Sequence, residues 1–470
     1  MLKNSRYHII AIMIRHMVLI FLFPLLYAGD ESYNPSTFVF PSYYHTYGIH
    51  KAGATHLFFF MGLKVRFKNP QGLACVKLES CDDPDNEHDD DELTVYGVNS
   101  GQNNIIYNKS MLALDVYGVD EKGVQKLKAP HGICANSTGD VYVADTGNHR
   151  IVRLLNPGHH LQFVSSIGTE GMDTGQFKYP EQVAMDSDGN IYVSDTGNNR
   201  IQVFNRENIF KYIIDNDHSL IMPTGIAVTD SNEKHSYYKE SMLIVIDSSK
   251  QRINKFDLSG NLIKKINTED FGYEISQLEY VCLDYYNQLL ITDSENHCIH
   301  KLNRNLQHIV SFGREGNDDY EFHEPRGITI YRRFGQLFIA ERSAAHYYWV
   351  GTDFSFLNTE VKDNAVFIEF KITEPAWIEI HILNEENCFI RRIFRRIYFP
   401  GEKVKKIKWN LKMGYESPKF LKENNYIREE NLRPGHKVSP GEYTLKIIAE
   451  PTYSSRSHFK RIEERKVVIQ

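Results

Sequence analysis

The chain has 470 residues, of which 41% are hydrophobic and 24% charged, and its formal net charge is −6. This composition is typical of a soluble globular protein with two or three domains, and the mild negative charge argues against a general nucleic-acid binder. From residue 358 onward the chain is net basic, with 22 Lys and Arg against 16 Asp and Glu, whereas the remainder is net acidic. This asymmetry indicates two differently built parts.

The first 28 residues have the pattern of a secretory signal peptide. Basic residues (Lys3, Arg6 and Arg15) precede the apolar run MVLIFLFPLLYA at 17–28, which ends in a small residue before polar GDES. We therefore expect cleavage and export, with the mature protein secreted, periplasmic or at the cell surface. The alternative is an uncleaved membrane anchor at 9–28, although Arg15 and His16 interrupt that span at a cost. Residues 29–54 form a lead segment.

One sequence unit then recurs along the chain. Its first part is a Pro-x-Gly loop leading into a short apolar strand, as in LKAPHGICA at 127–135, and its second part is GDVYVADTGNHRIVRLL at 139–155. The unit occurs six times at intervals of 46 to 52 residues, with its turn position at Asn99, Asp145, Asp195, Asp247, Asp293 and Glu341. Alternating apolar residues on both sides of an Asp-Thr-Gly-Asn turn predict strands joined by a tight turn.

About four strands per unit of this length match one blade of a β-propeller. The motif resembles the NHL repeat, and six copies imply a six-bladed β-propeller of the NHL/TolB-like type over residues 55–357, in an all-β protein. Copies one, five and six depart from the pattern, with Asn99 and Asn104, Cys298, and Glu341 and His346 at the usual Asp and Arg positions. The segment HLFFFMGLKVRFKNP at 56–70 is expected to supply an outer strand that completes the last blade.

In three of the copies, the turn carboxylate is followed five residues later by an arginine: Arg150, Arg200 and Arg252. A repeated active-site group is one interpretation. A structural ion pair that fixes the turn is favoured, because catalysis needs one asymmetric arrangement and these pairs are alike.

Residues 358–470 contain short alternating strands: AVFIEFKIT, AWIEIHILN, FIRRIFRRIYF, VKKIKWNL, GEYTLKIIAE and ERKVVIQ. They predict a small β-sandwich. Their order resembles the FlgD-like Ig-type domain at the C-termini of exported bacterial proteins, which implies a spacer or attachment module, or a sorting domain. The chain departs from that family at Asn410 and Leu411, which follow Trp409, and in a charged insertion at about 412–436.

No cofactor is predicted, and zinc or calcium is retained as an alternative. The resemblance to the propeller lyase that processes amidated peptides makes His131, His149, His297 and His346 candidate zinc ligands. The acidic run DDPDNEHDDDE at 82–92 lacks the spacing of a calcium loop and is interpreted as a solvated insertion.

The cysteines are too few and scattered for a disulfide scaffold. Cys75 and Cys81 are close enough in sequence to pair, while Cys134 and Cys282 are expected to be buried thiols. The basic stretch at 391–408 alternates with apolar residues and is interpreted as a solvated face, with an anionic partner as the alternative.

The residue after the proline position opens the inner strand of each unit and varies in charge and size. These six residues form the candidate binding ring: Gln71, His131, Glu181, Thr224, Glu279 and Arg326. In propellers, ligands meet the mouth of the axis, although ordinary loop variation explains the same pattern. The expected function is a non-catalytic binding scaffold for a protein, peptide or glycan, without nucleic acid and with membrane contact through an uncleaved signal alone. The alternatives are a metal-dependent lyase or hydrolase at the axis and an RNA-binding NHL module.

Overall fold

The computed structural model describes residues 37–41, 50–62, 65–81, 93–110, 113–215, 220–400, 404–413, 427–428, 436–452 and 460–470. The predicted signal segment, the acidic run at 82–92, and most of the lead segment and of the insertion at 412–436 lie outside these residues. Within the described ranges, no helix has the length and apolar character needed to cross a membrane.

The described chain opens with two short strands and a helix. The strands are β1 (Phe38–Val39) and β2 (Lys51–Gly53), and helix α1 (Ala54–Met61) follows directly.

Five antiparallel sheets come next, each made of four consecutive strands. The first contains β3 (Pro70–Lys77), β4 (Leu93–Asn99), β5 (Asn104–Ser110) and β6 (Ala113–Tyr117). The second contains β7 (Ile133–Ala135), β8 (Asp140–Asp145), β9 (Arg150–Leu155) and β10 (Gln162–Ile167). The third contains β11 (Pro180–Met185), β12 (Ile191–Asp195), β13 (Arg200–Phe204) and β14 (Phe210–Ile214).

The fourth sheet contains β15 (Ile226–Thr229), β16 (Met242–Asp247), β17 (Arg252–Phe256) and β18 (Leu262–Asn267). The fifth contains β19 (Leu278–Leu283), β20 (Leu289–Asp293), β21 (Cys298–Leu302) and β22 (His308–Phe312). A sixth sheet combines β23 (Ile328–Tyr331), β24 (Gln336–Ala340) and β25 (Ala344–Val350) with β1 and β2, which both pair with β25.

The sheets are arranged radially, as in a β-propeller. Their first strands contact one another in the order β3, β7, β11, β15, β19 and β23, and β23 contacts β3. Middle strands such as β16 are buried at every position because neighbouring sheets cover both faces, whereas the outermost strand β10 alternates between exposed and half-buried residues. The repeat therefore hides most sheet faces between its own copies.

The glycine of the Pro-x-Gly loop allows the inner strands to approach closely. A Cβ atom on Gly132 would lie 2.6 Å from Cα of Gln182 in the next sheet, and one on Gly327 would lie 2.1 Å from the carbonyl oxygen of Gln71. Neither backbone atom can give way, so a side chain at these positions would push neighbouring sheets apart.

The prediction that the segment at 56–70 forms an outer strand is wrong for its first residues, which lie in α1. The backbone N–H of Gly53 donates to Nδ1 of His56 at 3.2 Å and caps the start of the helix. Leu57 is buried, but Phe58, Phe59 and Phe60 are exposed. A short apolar run is compatible with either a helix or a strand. The outer edge of the sixth sheet is instead paired by β1 and β2, which lie upstream.

The C-terminal residues form two further sheets around one hydrophobic core. Their strands are β26 (Phe354–Lys362), β27 (Ala365–Ile372), β28 (Ala376–Asn384), β29 (Cys388–Phe399), β30 (Lys405–Trp409), β31 (Ile427–Arg428), β32 (Gly441–Pro451) and β33 (Arg461–Ile469). One sheet has the order β26-β27-β30 and the other β31-β29-β28-β32-β33. The six strands predicted in this region are present, whereas β26 and β31 were not predicted.

Trp409 lies in the core of these two sheets with its indole N–H donating to the carbonyl oxygen of Lys412 at 3.1 Å.

A buried ionic contact connects this region to the propeller. Lys301 of β21 forms an ion pair with Glu374, which lies between β27 and β28.

Candidate functional site

The turn of each repeat is built around a buried carboxylate or amide. In the third sheet, Asp195 is fully buried and accepts hydrogen bonds from the backbone N–H of Lys178 at 2.7 Å, Nε of Arg200 at 2.8 Å and Nε2 of Gln202 at 3.0 Å. Asp145 accepts equivalent bonds from Lys128 and Arg150 at 2.7 and 2.8 Å. These contacts hold the proline loop that precedes each inner strand against the turn and use the acceptor capacity of each carboxylate.

The threonine of the Asp-Thr-Gly-Asn turn links neighbouring sheets. The hydroxyl of Thr146 donates to the carbonyl oxygen of Pro180 at 2.6 Å, and that of Thr196 donates to the carbonyl oxygen of Pro223 at 2.7 Å. Each bond joins one turn to the proline loop of the following sheet. The aspartate and threonine of the Asp-Thr-Gly-Asn turn are therefore accounted for by contacts within and between sheets.

The other turn positions also keep a buried polar residue; the fourth sheet retains the arginine partner, and the first, fifth and sixth sheets change it. Asn99 donates to Oδ1 of Asn104 at 3.0 Å, and Asp247 forms an ion pair with Arg252. Asp293 pairs with His300, Nε2 to Oδ2, at 3.0 Å. Glu341 pairs with His346 at 3.1 Å and with Lys51 of β2 at 3.3 Å.

The six residues of the candidate binding ring all lie at the start of an inner strand. Gln71, Glu181 and Glu279 belong to β3, β11 and β19, while the other three lie two residues before β7, β15 and β23: His131, Thr224 and Arg326. Because these strands surround the axis, the structure places the ring at one end of it.

The charges of the ring are centred on Glu279. Its carboxylate forms an ion pair with Lys250 of the fourth sheet and accepts hydrogen bonds from Nε2 of Gln277 at 3.0 Å and from the hydroxyl of Ser294 at 2.9 Å. Glu279 is almost fully buried, and 23% of the Lys250 side chain is exposed. Lys250 is thus a partly exposed cation that is paired with a buried, hydrogen-bonded carboxylate near the axis.

His131 and Glu181 lie within the electrostatic influence of this pair. Burial, reinforced by the charges of Lys250 and Arg326, lowers the pKa of His131 to about 4, so its imidazole is neutral near pH 7. Burial and the nearby carboxylate of Glu279 raise the pKa of Glu181, against the opposing effect of Lys250. Groups on five sheets therefore interact electrostatically around the axis.

Two further contacts extend the cluster. The hydroxyl of Tyr280 on β19 donates to Oε1 of Gln71 at 3.2 Å, although these residues belong to the fifth and first sheets. The guanidinium of Arg326 donates to Oδ1 of Asn69 at 3.1 Å. We call the set His131, Glu181, Lys250, Glu279 and Arg326, with the Gln71–Tyr280 contact, the axial cluster.

Thr224 differs from the other members of the ring. It is buried, its carbonyl oxygen accepts a hydrogen bond from Ser194 at 2.7 Å, and its backbone N–H donates to the carbonyl oxygen of Ile246 at 2.8 Å. These contacts connect the third and fourth sheets, so Thr224 has a packing role at the position where the other copies carry longer polar side chains.

The sequence reasoning missed Lys250 and Tyr280. Lys250 occupies the turn position that is Asn148 and Asn198 in the better-matching copies. This replacement of asparagine by lysine is the feature of the sequence that could have indicated a functional role. The turn is also strained, because Ser248, Ser249 and Lys250 have φ values of 51°, 59° and 70°. Consecutive left-handed residues other than glycine are costly, and such strain is found where a site holds a side chain in place.

The four histidines considered as zinc ligands are distributed over different sites. Nδ1 of His149 accepts a hydrogen bond from the backbone of Tyr179 at 3.1 Å, and Nδ1 of His297 accepts one from Glu324 at 3.0 Å. These two histidines connect a turn to the next sheet, whereas His346 pairs with Glu341. His131 alone of the four belongs to the axial cluster.

All six cysteines are free thiols, including Cys75 and Cys81. Burial raises the pKa of both Cys75 and Cys134 to about 12. These two thiols are therefore protonated near neutral pH and are poor nucleophiles.

Comparisons with known proteins identify a repeat family and solved structures of similar fold. The family model "NHL repeat" matches residues 127–154 and 177–204, which are the second and third copies of the unit. The comparison with curated proteins gives no match.

Among solved structures, virginiamycin B lyase from Staphylococcus aureus is 15% identical, with 55% of this chain and 76% of that chain covered and a TM-score of 0.38. A gluconolactonase from Xanthomonas campestris is 13% identical, with 61% of this chain and 88% of that chain covered and a TM-score of 0.42. A streptogramin B lyase is 12% identical, with 61% and 95% covered and a TM-score of 0.41. At these values the likenesses carry no conclusion about activity, and the conclusion is that this chain contains NHL repeats in a β-propeller fold.

Proposed function

We propose that this protein is an exported, non-catalytic six-bladed propeller that binds a polar peptide, protein loop or glycan through the axial cluster. The observation that supports this most is the convergence of charged side chains from separate sheets beside the buried Lys250–Glu279 pair. The turns of the second, third and fourth sheets repeat one ion pair, whereas the axial positions differ chemically from copy to copy. Export rests on the pattern of residues 1–28, and the C-terminal sheets serve as an FlgD-like Ig-type spacer or attachment module.

The chemistry of the cluster suits a ligand with both donors and acceptors. Lys250 and Arg326 present cationic donors, Glu181 presents a carboxyl group, and neutral His131 can donate or accept. Burial of the acidic partners keeps these groups fixed before the ligand arrives, and a preorganised site loses less entropy on binding.

The proposal is tested by binding of the full-length protein to a peptide library and a glycan array. A variant carrying Glu181→Ala and Arg326→Ala removes two side chains of the axial cluster. The control carries the same changes at exposed positions of the third sheet, Glu207→Ala and Arg206→Ala. We expect the axial variant to lose at least tenfold in affinity for any ligand that the wild type and the control bind equally. Equal binding by all three proteins would remove the axial cluster as the binding surface.

A second candidate function is a lyase or hydrolase at the axis. It is favoured by the neutral imidazole of His131 and the raised pKa of Glu181, because perturbed groups at one site are typical of acid–base chemistry. Its metal-dependent form requires a divalent ion held by these residues.

The metal-dependent form predicts a stoichiometric metal that is lost in a variant carrying His131→Gln and Glu181→Gln. Metal that remains in this variant lies elsewhere in the protein and gives no support to axial catalysis. Loss of ligand binding without any bound axial metal would support the binding scaffold instead.

A further inference from the structure

The turn of the fifth sheet departs from the repeat at two positions at once. In the third sheet, the buried Asp195 accepts hydrogen bonds from Arg200 and Gln202, five and seven residues later. In the fifth sheet, Cys298 stands at the arginine position and His300 at the glutamine position, both on β21. Positions two apart on a strand face the same side, so both side chains approach Asp293.

These three side chains have the spacing of a metal site. Nε2 of His300 lies 3.0 Å from Oδ2 of Asp293 and 3.7 Å from Sγ of Cys298. The three potential ligand atoms all lie within 4.8 Å of one another, and all three residues are buried. Tetrahedral zinc with ordinary ligand distances requires about 3.3 Å between nitrogen and oxygen and about 3.6 Å between nitrogen and sulfur.

The surroundings of His300 orient its ring as in known zinc sites. Its other nitrogen, Nδ1, lies 2.7 Å from the hydroxyl of Ser311, which in turn lies 2.7 Å from Nε2 of His308. A hydrogen bond to the second ring nitrogen fixes the tautomer and directs Nε2 at the metal. The ring of Tyr273 packs against His300 with centroids 4.5 Å apart, which helps to hold the imidazole in this orientation.

Charge balance gives an independent argument. In the second, third and fourth sheets an arginine neutralises the buried turn carboxylate. Cysteine cannot supply that charge, so in this fully buried place Asp293 has hydrogen bonds from Asn296 and His300 where the other sheets have an arginine. A divalent cation bound by one thiolate and one carboxylate has no net charge, so it replaces the arginine.

We propose that Asp293, Cys298 and His300 bind one structural zinc ion in the turn of the fifth sheet. Binding converts the Cys298 thiol into a thiolate and releases one proton to solvent. Thiolate and imidazole ligands suit zinc, and the enclosed position is typical of a structural rather than a catalytic site. This inference does not depend on the axial cluster, so its failure leaves the proposed binding function intact.

Cobalt substitution in the full-length protein tests the site directly. The purified protein is stripped with a chelator and titrated with Co²⁺, and thiolate ligation is detected as a charge-transfer band in the near ultraviolet. We expect one equivalent of cobalt to produce the band and zinc to abolish it. A folded wild-type protein without this band would overturn the proposal.

Two variants identify the ligands. Cys298→Ser should lose the thiolate band, whereas the control Cys134→Ser should keep it. The double variant Cys298→Arg/His300→Gln recreates the arginine and glutamine of the third sheet, so we expect it to fold and to bind no cobalt. A band that persists in Cys298→Ser, or in the folded double variant, would contradict the assignment.

Discussion

Lys301 is a fully buried cation at the contact between the propeller and the C-terminal sheets, and its removal should destabilise the protein strongly. Its ammonium group forms an ion pair with Glu374, lies 4.0 Å from Oδ2 of Asp284 and donates to the hydroxyl of Thr37 at 3.1 Å. Lys301, Glu374 and Asp284 all have 0% exposed side chains. Lys301→Met keeps most of the side-chain volume and removes the charge. The change in the free energy of unfolding therefore measures the loss of the ionic contacts.

The expected cost follows from the carboxylates left behind. With an effective dielectric constant of about 20, one pair of charges at about 4 Å interacts by about 4 kcal/mol, and desolvation of the ions offsets much of this energy. Breaking a buried pair by removing one partner costs about 3–5 kcal/mol, because the other charge remains buried. We therefore expect Lys301→Met to lower the free energy of unfolding by about 3–5 kcal/mol.

Glu374→Gln should cost less, because its amide oxygen still accepts from Lys301 and Asp284 still balances the cation. In the double variant Lys301→Met/Glu374→Gln one of the two unpaired carboxylates is gone. The double variant should therefore be more stable than the sum of the single effects predicts, with a coupling energy of about 2 kcal/mol.

The assay is equilibrium unfolding in urea of the full-length wild type, the variants and the control Lys265→Met, whose side chain is exposed. Tryptophan fluorescence and circular dichroism are followed together, because coincident transitions are required before free energies are compared. A cost below about 1 kcal/mol for Lys301→Met, or single effects that add to within about 0.5 kcal/mol in the double variant, would refute the reasoning.

Three further changes test the turns and the axial cluster. Asp195→Ala leaves buried donors without an acceptor and should lower the free energy of unfolding by at least about 3 kcal/mol. The control Asp188→Ala, at an exposed position, should lower it by less than about 0.5 kcal/mol. Similar values for the two variants would show that the turn carboxylate is dispensable. Thr196→Val removes the hydroxyl that links two sheets and should lower the unfolding free energy by about 1–3 kcal/mol, and an unchanged urea midpoint would contradict that link. Because the pKa of His131 is lowered to about 4, the unfolded state binds more protons between about pH 6.5 and pH 4, and stability falls as the pH is lowered through this range. Over this pH range the free energy of unfolding of His131→Gln, measured in urea, should fall by about 2–3 kcal/mol less than that of the wild type. The same pH dependence in both proteins would disprove this prediction.

The repeat and its local chemistry could be read from the sequence in detail. The turn positions recur with a buried carboxylate or amide that bonds to the preceding loop, and the inner strands begin where the proline positions are found. Local signals suffice here because tight turns and alternating strands depend on neighbouring residues.

Predictions that required knowledge of distant partners were less successful. The apolar segment after residue 55 begins as α1, because β1 and β2 already pair with the edge of the sixth sheet. β26 was not predicted as a strand, although it pairs with β27 along its length. Lys250 and Glu279 are 29 residues apart, and nothing local to either residue predicts their contact.

The sequence by itself determined the repeating unit, the chemistry of its turns and the β-rich character of both parts of the chain, because these depend on residues within one unit. The tertiary structure alone decided which side chains meet at the axis, which segment pairs with the edge of the sixth sheet, and how Cys298 and His300 approach Asp293. The physical reason is that a radial arrangement brings the first residues of separate inner strands together, so the partners of a charge at the axis lie in other sheets.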